Sequence, residues 1–135
     1  AFVSASGTIE PADPQLLAGQ PSIADDLAAL ARQSDPARTI YVCHTPPAGT
    51  PLDLMPRGRH VGSRALRGFI ERHTPPLTLH GHIHESPNLS GRYAAQIGAT
   101  WCVNPGHHPG RFQAVALDTD DIAGSMTHTV FGRPL

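Results

Sequence analysis

The stretch Leu77-Thr78-Leu79-His80-Gly81-His82-Ile83-His84-Glu85 decides how this chain reads, because a short apolar strand runs straight into a turn carrying three imidazoles. Imidazole is a common ligand for borderline transition metals. A Gly beside two closely spaced His lets the backbone turn tightly while both rings converge. Packing alone is a poor account of three such rings, and the turn reads as one wall of a metal site. His80 lies two residues before His82 on the same strand face, where a supporting or structural role is expected ahead of ligation. Glu85 is expected to hold the turn.

Upstream, Thr39-Ile40-Tyr41-Val42-Cys43 is a second β-branched and aromatic run, bounded by Pro36 behind and His44-Thr45-Pro46-Pro47 ahead. It predicts a buried strand with His44 at its C-terminal end. Between the two runs, residues 48–60 hold Gly49, Pro51, Pro56 and Gly58 with Arg57, Arg59 and His60, a long surface loop of the kind that carries function. Ser63 then caps a helix to about Arg72 that packs Leu66, Phe69 and Ile70 inward. Strand, helix and strand in that order predict an α/β sheet. Open sheets of this class bind ligands beyond the C-terminal ends of their strands, so the two His clusters are expected to share one edge.

Residues 1–21 are polar and broken by Gly7, Pro11, Pro14, Gly19 and Pro21, which predicts an extended arm or loop. Ser22 caps a helix that presents Ile23, Leu27 and Leu30 on one face and stops near Ser34-Asp35-Pro36. Beyond the His turn, short strands are expected over residues 93–97, 100–103, 112–117 and 125–131. The domain organisation is thus an arm followed by one domain over residues 22–135.

Composition narrows the functions. With 135 residues the chain is one ordinary domain or part of one, and its formal net charge of -1 gives no basic face for tracking a nucleic-acid backbone or an anionic membrane. Nine His and fourteen Pro stand against seven Phe, Trp and Tyr residues, which places the chemistry in imidazoles on a loop-rich frame. Every cation is Arg, a bias that a GC-rich genome explains as well as a need for bidentate contacts. Cys43 and Cys102 read as two buried thiols of a reducing, cytoplasmic protein. No apolar run approaches the roughly 18 to 20 residues of a membrane span.

Taken together, Cys43-His44-Thr45-Pro46-Pro47, Gly81-His82-Ile83-His84-Glu85 and Val103-Asn104-Pro105-Gly106 resemble, in order and spacing, the C-terminal half of the calcineurin-like metallophosphoesterases. The resemblance covers roughly residues 22–131. It implies the C-terminal part of a four-layer α/β/β/α sandwich. It also implies a dinuclear centre of divalent transition metals (manganese, iron, zinc or nickel), with His44 and His82 on one ion and His84 on its neighbour. The activity implied is hydrolysis of a phosphomonoester or phosphodiester small molecule by a metal-bound hydroxide. Substrate contacts are expected from Arg57, Arg59, His60 and His107, with His108 and Arg64 close behind.

The family's upstream Asp-x-His, Gly-Asp and Gly-Asn-His blocks are absent from these residues. The chain is therefore expected to need a missing N-terminal half, or to associate with itself, and to be inactive alone. A non-catalytic metal-binding fragment or interaction module with a vestigial site is the alternative. A structural zinc module is a weaker third reading, because closed zinc sites gather four ligands, often Cys.

Overall fold

The computed structural model describes residues 2–3, 9–10 and 19–134. Within the expected arm, that covers an antiparallel pair, β1 (Phe2–Val3) and β2 (Ile9–Glu10), and residues 19–21. The rest of the arm lies outside the described residues.

Ser22 opens α1 (Ile23–Gln33) with a reciprocal cap: its hydroxyl accepts from the Asp25 backbone N–H, and the Asp25 carboxylate accepts from the Ser22 backbone N–H at 2.9 Å. Only Leu27 of the expected apolar face is buried. Ile23 and Leu30 are each 45% exposed. Asp35 then caps a single 3-10 turn over Pro36–Arg38, which delivers the chain into β3 (Ile40–Val42).

The loop that follows is more ordered than its composition predicts. It contains a small hairpin of β4 (Leu54–Met55) and β5 (Arg59–His60), with Arg57 at the tip in a left-handed conformation, φ 65. Ser63 caps α2 (Arg64–His73) by accepting from the Leu66 N–H, and Leu66, Phe69 and Ile70 are buried as expected. β6 (Leu77–Leu79) precedes the His turn, and the short helix α3 (Ser86–Ser90) follows it.

β7 (Ala94–Ile97) and β8 (Thr100–Val103) form an antiparallel hairpin that completes a four-stranded sheet of order β3-β6-β8-β7. β3, β6 and β8 run parallel, with Tyr41 opposite Thr78 and Thr78 opposite Cys102. The chain is thus a mixed α/β fold, with α2 as the crossover between two parallel strands. His44, the His turn and Asn104 each follow the C-terminal end of one of these three strands, so all three motifs meet at one end of the sheet.

Each face of the sheet carries its own core. Leu27, Tyr41, Leu52, Leu66, Phe69, Ile70, Ile97 and Cys102 pack on the helix side, where Tyr41 meets Phe69 edge-on at 5.0 Å. Leu77, Tyr93, Ala94, Val103 and Met126 form the core of the opposite face. Part of that cover comes from β9 (Val115–Ala116), α4 (Ile122–Ser125) and β10 (Thr127–His128), with β9 and β10 paired antiparallel. The strands expected over residues 112–117 and 125–131 are thus shorter than predicted. Asp121 caps α4 by accepting from the Gly124 N–H, so residues 122–125 coil into a helix, and Phe112 is 81% exposed.

The buried strand expected over residues 39–43 is corrected in one respect. Tyr41 is buried, but Val42 is 79% exposed and Ile40 39%. β3 lies at the edge of the sheet, with β6 its sole neighbour among the described residues, and its second face is only partly covered. Cys102 is buried, whereas Cys43 is only half-buried.

An uncovered edge strand can in general template pairing with another edge. Val42→Lys is expected to change stability by no more than about 0.5 kcal/mol, because it touches no packed feature. It should also lower the sedimentation-average mass of concentrated samples, since a charge on an edge strand opposes edge-to-edge pairing. Sedimentation velocity beside a denaturant melt checks both. No helix among the described residues is long and apolar enough to cross a membrane.

Candidate metal centre

Two imidazoles meet where β3 and β6 end. Cys43 N–H donates to the Leu79 carbonyl and Gly81 N–H to the His44 carbonyl, both at 2.9 Å, so the ladder continues past both strands and fixes their His segments side by side. His44 Nε2 lies 3.2 Å from His82 Nδ1, with ring centroids 4.9 Å apart and planes at 63°. Both residues are solvent-exposed.

That separation suits one cation. Two imidazole nitrogens, each about 2.05 Å from an ion, lie about 3.3 Å apart at a tetrahedral angle and about 2.9 Å apart at a right angle. The observed spacing falls between the two. Partial desolvation holds the His82 pKa below the ordinary imidazole value, and the neighbouring His44 and His84 rings push the same way. The neutral ring with a free lone pair is therefore the favoured form, as ligation requires.

His84 does not join this pair. Its ring faces His107 instead, with centroids 5.8 Å apart, and the His107 N–H donates to the His84 carbonyl at 3.1 Å. Among the described residues, no group of three or more His, Cys, Asp or Glu is placed to hold one ion. The structure therefore brings two of the three expected ligands together and pairs the third with an expected substrate contact.

His80 takes the supporting role. It is 7% exposed, its Nδ1–H donates to the Cys43 carbonyl at 2.9 Å, and its Nε2 accepts from the Thr78 hydroxyl at 2.8 Å. Burial lowers its pKa to about 4, against a smaller upward push from the Cys43 and Thr45 backbone. The unfolded chain binds this proton near pH 6.5 and the folded chain only near 4. Stability therefore rises with pH across that window, and acidification from 6.5 to 4 removes about 3 kcal/mol through this ring. Urea melts at intervals between those pH values should show a slope that shrinks in His80→Asn.

The loop residues are organised by an acid that the sequence did not single out. Asp53 is wholly buried and accepts from the Gly49, Thr50 and Gly62 backbone N–H groups at 2.9 to 3.0 Å and from His60 Nδ1 at 2.7 Å. Gly62 is required for this closure. A Cβ there would lie 2.7 Å from the Pro46 carbonyl oxygen and 2.8 Å from Asp53 Oδ2. His60 is thus oriented by Asp53, while Arg57 and Arg59 are exposed on the hairpin and make no hydrogen bond or ion pair to the His rings among the described residues. His108 is exposed and accepts from the Gly110 N–H.

Asn104 is the other buried anchor. Its Nδ2 donates to the Leu52 carbonyl at 3.1 Å and the Ile83 carbonyl at 3.0 Å, and its Oδ1 accepts from the Gly106 N–H at 3.0 Å. The Asn-Pro-Gly spelling marks a turn, but nothing in it names the two carbonyls that it reaches.

No protein-family model matches this chain, and no curated protein matches it significantly. Two solved structures do. One crystal structure matches with a TM-score of 0.59 at 24% identity, over 78% of this chain and 37% of that chain. The crystal structure of TT1561 of Thermus thermophilus matches 78% of this chain and 39% of that chain at 23% identity, with a TM-score of 0.49, too low to support an argument. The chain thus spans less than two fifths of the length of either solved chain. The first likeness establishes a shared mixed α/β fold.

Proposed function

We propose that this chain is the C-terminal part of a metal-dependent phosphoesterase of the calcineurin-like type, and that its sheet belongs to the four-layer sandwich of that family. The observation that carries this reading is the 3.2 Å approach of His44 Nε2 and His82 Nδ1 at two adjacent strand ends. An ion held there supplies a Lewis acid for a phosphate oxygen and lowers the pKa of water.

The chain's own residues have separable parts in this scheme. His44 and His82 would hold the ion, and His80 keeps the Cys43 carbonyl in place beside His44. His84 takes its part with a second ion only alongside ligands from elsewhere, because its present neighbour is His107. Arg57, Arg59 and the Asp53-held His60 form the cationic loop that would meet a phosphate ester. Carboxylate ligands and a general acid would come from further polypeptide. A cytoplasmic location goes with this reading.

One observation favours the alternative of a non-catalytic metal-binding module: among the described residues, the converging set holds two side chains and no acid. Hydrolysis of an aryl phosphate with added manganese, by the native-length polypeptide, separates the two. Turnover that disappears in His82→Ala is the expected result. Turnover indifferent to His82 would remove the catalytic reading.

A further inference from the structure

His82 is held in a backbone conformation that its own chemistry does not favour. Its φ is 57, in the left-handed region, and the Ile83 N–H donates to the Gly81 carbonyl at 2.6 Å, closing a three-residue turn with His82 at its centre. His visits this region more readily than most side chains, yet the conformation is still disfavoured and persists only where the surroundings hold it. Since the His82 ring is exposed, the restraint must act on its backbone from the buried side.

That side is built around one amide. Asn104 is fully buried at the end of β8, and both ends of its side chain are engaged. The Ile83 carbonyl, one residue past His82, accepts from Asn104 Nδ2 at 3.0 Å and from the Ser86 N–H at 3.2 Å, and the Ile83 side chain is buried. The second Asn104 donor bond goes to the Leu52 carbonyl, next to the Asp53 hub. Gly106, which donates to Asn104 Oδ1, lies so close to the turn that a Cβ would stand 2.9 Å from the His84 carbonyl oxygen. The His128 Nε2–H holds the intervening Pro105 carbonyl at 2.9 Å.

We infer that Asn104 is the positioning residue of the imidazole pair: by fixing the Ile83 carbonyl it keeps His82 left-handed and its Nδ1 within 3.2 Å of His44 Nε2. This rests on the proposal that the pair binds a metal ion. Without the amide, the turn can relax toward an ordinary φ and carry the ring away from His44. A carboxylate at the same place cannot substitute, because it offers no donor to either carbonyl.

The test uses the whole chain, nickel(II) alone as probe, and two readouts. A positive φ brings the His82 amide proton close to its own Hα, so the wild type should give a strong intraresidue nuclear Overhauser effect at His82. In Asn104→Ser that signal should weaken while the β6 and β8 amide shifts persist, and nickel(II) affinity should fall by about tenfold or more. If Asn104→Ser does not fold, Asn104→Asp serves instead. It keeps the size of the side chain and the acceptor for the Gly106 N–H but offers no amide donor to the Ile83 and Leu52 carbonyls, so it should weaken the same two signals.

A folded variant of either kind that keeps the His82 signal and binds nickel(II) within twofold of wild type overturns the inference. Failure of the underlying reading looks different. In that case wild-type binding would not respond to His44→Ala, while the His82 signal would still report what Asn104 does to the turn.

Discussion

Asp53→Ala should destabilise the chain by about 3 kcal/mol or more, a large share of the stability of a domain this size. The loss comes from the groups the carboxylate would leave behind. It is wholly buried and accepts from three backbone N–H groups and from His60, and among the described residues no other acceptor is in place for the Gly49, Thr50 and Gly62 amides. Asp53→Asn should recover only part of the loss, since its amide offers one acceptor oxygen where the carboxylate offers two. His60→Ala should be much milder, because that ring is half-exposed and water can take its place. Urea melts of the three variants rank them. Equal losses for Asp53→Ala and His60→Ala would show that the pair, rather than the backbone cradle, is what matters.

The second large effect is on metal affinity. His44→Ala and His82→Ala should each weaken manganese(II) or nickel(II) binding at least about tenfold, because each removes half of the converging set. His84→Ala should do much less in this chain, since its ring sits with His107 rather than with the pair. Calorimetric titration of the three variants provides the ranking. A loss for His84→Ala as great as for His82→Ala would mean that the turn rearranges to bring all three rings onto one ion.

Much of the frame was legible. Ser22 and Ser63 announced both main helices because a hydroxyl before an apolar-periodic run satisfies orphan N–H groups locally. The Leu77–Leu79 strand and the strands near residues 93–97 and 100–103 followed from short apolar runs between turn residues, but the last two join the sheet of β3 and β6 rather than forming a second one. What escaped was set by contacts distant in sequence. Leu30 has the right period for a core face but lies 45% exposed, since nothing in a heptad tells which partner arrives. The same holds for Val42, whose strand is apolar on both faces and covered on one.

The site divided along the same line. The family resemblance implied that His44 and His82 go together, whereas the residues alone placed the two His clusters only at one sheet edge, where their strands are neighbours. His84 could not be assigned to His107, because that contact depends on the Asn104 turn folding back across α3. Asp53 gave no sign of its weight and the Asn104 motif did not name its partners, since these include backbone groups 9 and 52 residues away and backbone has no spelling.

If His44 and His82 bind a metal ion as a pair, paramagnetic broadening by manganese(II) will be centred on them. In amide spectra of the whole chain, substoichiometric manganese(II) should erase the signals of His44, Gly81, His82 and Ile83 first, and His82→Ala should spare them. Broadening centred instead on the acidic turn at Asp118, Asp120 and Asp121, or untouched by His82→Ala, would contradict the account.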